Sequence, residues 1–369
     1  MRHVRRVIVI DPRTDGGSPS GEPGHPDPPG RHIAARVDDV FNAVRNRLFR
    51  RRGWRPRIVP YAGYGSGRQV RVLARILLAP PPDGPPPDAE TAAARQRATR
   101  GWRRFLTTPI PGAQVEVDAD GSTYHLATDR RGYLDAVINA ELTPGWHDLP
   151  IRVRRGLPSE LRVLVVGEEP TVGIVSDIDD TAMITHLPRP LLAAWNTFVL
   201  RESARVAVPG MAELYRTLLA EHPGAPVVYL STGAWNVAPT LTRFLTRNGF
   251  PDGPLLLTDW GPTNSGWVRS GRQHKENSLR RLARDLPNVR WLLVGDDGQH
   301  DPEIYDDFAA EHPDRVTGIA IRRLTATEQA LTTTPTVHRV PTAAVPVVGA
   351  RDGYGLAAEL RAAALLRSP

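Results

Sequence analysis

Residues 171–181 read TVGIVSDIDDT. An apolar run rich in β-branched residues, with Thr171, Val172, Ile174 and Val175, ends in three carboxylates, Asp177, Asp179 and Asp180. β-Branched side chains favour extended backbone, and a run that is apolar on both faces fits a strand buried inside a parallel sheet. Open α/β sheets place their chemistry outside the carboxyl ends of such strands, which is where these acids fall. Three acids within four residues repel one another unless a cation holds them, and hard divalent cations take oxygen ligands of this kind. A solvated acidic turn, or a helix start capped by aspartate, accounts for the same short motif.

Farther along, Val227, Val228, Tyr229 and Leu230 form a second buried-strand pattern. It ends in Ser231 and Thr232, ahead of a helix-like segment at 237–248, and a hydroxyl at that end can hold a phosphoryl oxygen. Lys275 falls on or just before a helix marked by Leu279, Leu282 and Leu286 at helical spacing. A third strand pattern, VRWLLVGDD, ends at Asp296 and Asp297, with Asp301 following. Strand then acids, strand then hydroxyl, lysine, strand then acids: that order makes up a site.

That order resembles the haloacid dehalogenase superfamily of phosphohydrolases. The wording SDIDDT, HK and GDDGQHDPEIY resembles its App1-type phosphatidate phosphatase branch, related to the lipins. The likeness covers about 170–325 and implies an α/β fold: a Rossmann-like parallel sheet with a minimal cap, behind a β-rich domain. It implies hydrolysis of phosphatidate to diacylglycerol through an aspartyl-phosphate, with Asp177 as nucleophile and Asp179 as acid and base. Ser231, with Thr232 beside it, and Lys275 would bind the phosphate. Mg²⁺ would be held by Asp177, the Asp179 carbonyl, Asp296 and, through water, Asp301. Relatives of this type carry Ser-x-Ser-Pro after the second strand, whereas this chain has Ser231, Thr232, Gly233 and Ala234.

Two alternatives stand beside that reading: a phosphatase of the same superfamily acting on another phosphomonoester, and a protein that binds phosphatidate without turnover. Lipid-binding relatives lose the acid/base aspartate, and this chain keeps Asp179. Asp180 and Thr181 read as turn-shaping residues, Asp297 as either a second metal contact or a helix cap, and His274 and His300 as polar surface histidines.

The 369 residues suffice for two domains with separate cores. Cysteine is absent, which excludes disulfides and thiolate metal sites and fits a cytoplasmic protein. No apolar run approaches the length of a membrane span, so any membrane association would be peripheral. Of 47 basic residues, 46 are arginine, and the one lysine is Lys275. A crowded phosphoryl pocket admits a compact ammonium more readily than a planar guanidinium. Residues 1–167 carry 27 arginines and 17 acids, whereas 168–369 carry 20 basic and 23 acidic residues.

Residues 1–30 are rich in Pro, Gly, Asp and Ser and predict a disordered N-terminus. Residues 31–53 predict a basic amphipathic helix with Ile33, Val37, Val40, Phe41, Val44 and Leu48 on one face, stopped by arginines and Gly53. Its apolar face either packs on the protein, as most such faces do, or lies on an anionic membrane. Nucleic acid is not an expected partner, because the charge sits on one helix without interleaved aromatic platforms. No stretch specifies an oligomeric state. Residues 54–167 alternate as about six strands and predict an antiparallel β-sandwich domain. The phosphatase-like domain spans 168–325. Only Ala182 to Ala225 separate its first two strands, with helices near 191–200 and 211–220, which leaves little room for a cap domain. Residues 326–369 read as a linker and a terminal helix over 356–366.

Overall fold

The computed structural model describes residues 4–5, 47–49, 51–80, 107–184, 206–258, 267–331 and 344–367. The expectations for 1–30, most of the basic helix, the helix near 191–200 and the first part of the linker read in 326–369 lie outside them. The chain divides into two compact units, with the break in sequence after Val165.

In the first unit the strands are β1 (Val4–Arg5), β2 (Arg55–Ser66), β3 (Val70–Ala79), β4 (Thr108–Pro109), β5 (Gln114–Ala119), β6 (Ser122–Ala127), β7 (Tyr133–Ile138), β8 (Gly145–Val153) and β9 (Ser159–Val166). Among the described residues they join in a single nine-stranded sheet, ordered β1-β6-β5-β8-β9-β2-β3-β4 with β7 also on β3. The β1–β6 pairing is parallel, so the sheet is mixed where an antiparallel sandwich was expected. Alternation marks one buried face per strand but does not say whether strands divide into two sheets. Here Val70, Val72, Ile76 and Leu78 meet Val115, Val117, Leu126, Ile151, Leu161 and Val163 in one core. A register shift between Tyr61 and Tyr64 lets the long β2–β3 ribbon bend. The end of the basic helix is also described. Gly53 takes φ 82°, the Trp54 amide donates to the Phe49 carbonyl at 3.1 Å, and the two rings stack at 4.2 Å.

In the second unit the elements are β10 (Thr171–Asp177), β11 (Met183–Ile184), β12 (Val206–Ala207), α1 (Met211–Glu221), β13 (Val227–Ala234), α2 (Ala238–Arg247), β14 (Leu255–Thr258), α3 (Trp267–Asp285), β15 (Val289–Asp296), α4 (Asp301–Glu311), β16 (Val316–Arg322), α5 (Ala326–Leu331), β17 (Val347–Ala350) and α6 (Gly353–Ala362). Among the described residues six strands form a sheet ordered β14-β13-β10-β15-β16-β17. Every neighbouring pair in it is parallel. From β10 the chain winds outward through β13 and β14, then returns to β15 and winds the other way. The crevice between the carboxyl ends of β10 and β15 is therefore the point where strand order reverses. Asp177 and Asp296 are the last residues of those two strands.

The strands β10, β13 and β15 are largely buried on both faces, which is why they read as continuous apolar runs. Leu279, Leu282 and Leu286, singled out by their spacing, are all buried. Between β10 and β13 the described residues hold only the short antiparallel ribbon β11–β12 and α1. Part of the stretch read as a linker is instead strand β17, which pairs with β16 over Ile319–Arg322. Its preceding proline and four-residue length hide it from pattern reading. The terminal helix begins earlier than expected, with the Asp352 carboxylate accepting from the Gly355 amide at 2.9 Å. No described helix is long and apolar enough to cross a membrane.

Candidate active site

Asp177, Asp296 and Asp301 bring one carboxylate oxygen each to within 4.8 Å of one another. All three are fully buried. Asp177 and Asp296 arrive from adjacent parallel strands, and Asp301 from the first turn of α4, where the helix dipole favours a negative charge. Gly295 makes room for that turn: a Cβ there would stand 2.6 Å from Asp301 Oδ2 and 2.8 Å from the Tyr305 ring.

Lys275 reaches the cluster from α3. Its Nζ donates to Asp177 Oδ1 at 2.7 Å and to Asp301 Oδ1 at 2.5 Å. Burial alone would depress the lysine pKa, but the two carboxylates outweigh it and hold the ammonium charged. Burial pushes the pKa of Asp177 well up, with Lys275 opposing and the neighbouring acids Asp301 and Asp179 adding to the rise. Asp296 is raised by burial and by the same crowding, Asp301 first. One lysine thus faces three buried acids. Asp177 Oδ2, Asp296 Oδ2 and Asp301 Oδ2 are buried without a hydrogen-bond partner. Buried carboxylate oxygens are costly to leave unpaired, and an all-oxygen set of this kind suits a hard divalent cation.

Asp179 stands just outside this triad. Its Oδ2 accepts from Ser231 Oγ at 3.1 Å, and Ser231 Oγ accepts in turn from the Gly233 amide at 3.0 Å. Ser231, fully buried in the second half of β13, therefore lies beside Asp179 with its hydroxyl aimed at it. Thr232 follows it in the strand. Its methyl faces Gly271, and its carbonyl accepts from Thr258 Oγ1 at 2.9 Å.

The turn after Asp179 is strained. Asp180 adopts φ 56°, a left-handed conformation that costs a non-glycine residue about 1–3 kcal/mol. Its amide donates to the Met183 carbonyl at 2.7 Å, and its carbonyl accepts from Arg322 Nη1 at 2.7 Å. Asp297, open in the sequence between metal contact and helix cap, takes a third role. Its Oδ1 accepts from the Leu324 amide at 2.8 Å, which ties the loop after β15 to the loop after β16.

His274 is half-buried, with Nε2 3.3 Å from the Leu256 carbonyl. Burial pulls its pKa down to about 4, so at neutral pH it is an uncharged donor to β14 and not the surface group expected. His300 keeps a partly exposed ring 3.7 Å from Glu303. Sequence reasoning did not find Arg322 or the pair behind Asp177, where the Ser176 and Tyr215 hydroxyls lie 2.6 Å apart. Nothing in the local pattern marks either.

Residues 172–323 match the family described as phosphatidate phosphatase APP1, catalytic domain. An uncharacterised protein of Schizosaccharomyces pombe is 28% identical over 172 residues, 46% of this chain and 28% of the relative. Phosphatidate phosphatase APP1 of Saccharomyces cerevisiae is 26% identical over 233 residues, 59% of this chain and 39% of the relative. The chain thus spans less than half the length of the curated relatives it matches. Among solved structures, a carbohydrate acetylesterase from Xanthomonas citri aligns over 73% of this chain and 68% of that chain, at 12% identity and a TM-score of 0.27, too low to speak to the fold.

Proposed function

We propose, from the premise that residues 172–323 are an App1-type phosphatidate phosphatase catalytic domain, that this protein hydrolyses phosphatidate to diacylglycerol and phosphate. The observation that carries the reading is the cluster of Asp177, Asp296 and Asp301, with three unpartnered buried oxygens and Lys275 alongside. The chemistry proposed is that of the haloacid dehalogenase superfamily, on a Rossmann-like sheet.

Lys275 occupies Asp177 Oδ1 and leaves Oδ2 as the attacking oxygen. Oδ2 bonds to phosphorus, the bond from phosphorus to the glycerol oxygen breaks, and Asp179 gives that oxygen a proton. Asp179 then takes a proton from water as it attacks phosphorus, which releases phosphate and restores the Asp177 carboxylate. Dividing one hard displacement into two is what a covalent nucleophile contributes. Ser231 and Lys275 supply donors where equatorial charge gathers. A divalent cation, Mg²⁺ in this reading, held by Asp177, Asp296, the Asp179 carbonyl and, through water, Asp301, would offset the carboxylate charge against an incoming phosphate dianion.

Between β10 and β13 the described residues hold a two-stranded ribbon and α1, and no large lid among them supplies remote binding energy to a small ligand. A lipid aggregate can supply those contacts. The enzyme would act from the cytoplasm, with any contact to an anionic membrane peripheral. In mixed micelles kcat/KM for phosphatidate is expected to exceed that for glycerol 3-phosphate at least about tenfold, or roughly 1.4 kcal/mol of discrimination. Turnover should require Mg²⁺ or a similar cation. Equal values for the two substrates would point instead to a phosphomonoesterase of the same superfamily with another substrate. Full activity in excess chelator would contradict the metal assignment.

A further inference from the structure

Arg322 is 4% exposed and ends β16, directly across the sheet from Asp296. Its guanidinium donates in three directions: Nη1 to the Asp180 carbonyl at 2.7 Å, Nε to the Arg351 carbonyl at 3.1 Å, and Nη2 to Glu328 Oε1 at 2.7 Å. Its own carbonyl accepts from the Asp297 amide at 3.0 Å. One side chain therefore touches the turn that follows Asp177 and Asp179, the segment after β17, and α5. Its backbone holds the loop that follows Asp296.

Burying a guanidinium is unfavourable unless its donors are all met, and here two of three acceptors are main-chain carbonyls. Such an arrangement fixes backbone. The backbone it fixes is the left-handed Asp180 peptide, which needs outside support to persist. The Arg351 carbonyl is set by the next residues along, because the Arg323 amide donates to the Ala350 carbonyl at 2.7 Å and the Gly353 amide to that of Pro209 at 2.8 Å. Residues 344–367 lie past the matched family segment at 172–323, yet they complete the socket for this arginine.

We propose that Arg322 is a positioning residue that locks the Asp177–Asp180 turn in its working shape, and that the C-terminal strand and helix, β17 and α6, are a required part of the catalytic unit because they seat it. The inference rests on the phosphatase reading of the site, so its test pairs turnover with a readout that needs none. Arg322→Lys keeps a cation beside Glu328 but cannot serve three acceptors in one plane. It is expected to lower kcat on phosphatidate at least about tenfold with KM within about threefold, as misplacing a reacting group does. Backbone amide exchange across residues 178–184 should quicken at least about tenfold while exchange in β2 and β3 stays unchanged. Glu328→Gln retains an acceptor for Nη2 and should leave both quantities near wild type.

Wild-type kcat and wild-type exchange in a folded Arg322→Lys protein would overturn the proposal. If that variant does not fold, Glu328→Ala decides: faster exchange confined to 178–184 supports the lock, and unchanged exchange overturns it. Should the wild type itself fail to turn over phosphatidate, the proposed function falls, and the exchange measurement still judges the positioning role.

Discussion

Asp179→Asn is expected to lower kcat on phosphatidate by about 10²–10⁴-fold, the range for a positioned acid/base group. Asp177→Asn should fall at least as far. The two losses have different origins. The amide at 177 removes the attacking oxygen and one buried negative charge, whereas the amide at 179 leaves the triad intact and removes only the proton donor beside Ser231. The Asp177→Asn protein should therefore be at least as stable as wild type in metal-free buffer, because one carboxylate fewer then faces a single lysine. Steady-state kinetics and urea midpoints on the same preparations separate these effects. Normal turnover by Asp179→Asn would remove it from the proposed chemistry.

Lys275→Met should destabilise the metal-free protein by about 3–5 kcal/mol, the usual cost of removing one partner from a buried ion pair. The lysine is 2% exposed and donates to two carboxylates that have no other cation within bonding distance among the described residues. Without it, three buried acids repel one another with nothing between them. A second substitution, Asp301→Asn, should restore part of the loss, because contacting charges do not contribute independently. Urea midpoints for the single and double variants test this, and a Lys275→Met midpoint equal to wild type would show that the lysine does not hold the acids.

The central part of the second unit was legible in the sequence because β10, β13 and β15 are buried on both faces. Such strands hold unbroken apolar runs, and the polar residues that close those runs, Asp177, Ser231 and Asp296, announce themselves by contrast. Lys275 stood out through composition, as the one lysine among 46 arginines. The same excess concealed Arg322, whose role comes from three acceptors far apart in sequence. Strands β14 and β17 escaped because four residues carry too little periodicity, and their place in the sheet is set by pairing with longer neighbours. In the first unit alternation announced strands, but whether such strands share one sheet depends on long-range pairing that period two does not encode. Asp297 illustrates the limit at the site itself. It adjoins Asp296 and carries the same group, yet it lies just past the end of β15 and its carboxylate accepts from the Leu324 amide.

The most direct test of the account is to quench the wild-type enzyme with acid during turnover of phosphatidate labelled with ³²P, and to map any label retained by the protein. An aspartyl-phosphate predicts label on the peptide that contains Asp177, released by hydroxylamine and absent from the Asp177→Asn protein. Undiminished turnover with no protein-bound label, or label on another peptide, would contradict the assignment of Asp177 as the nucleophile.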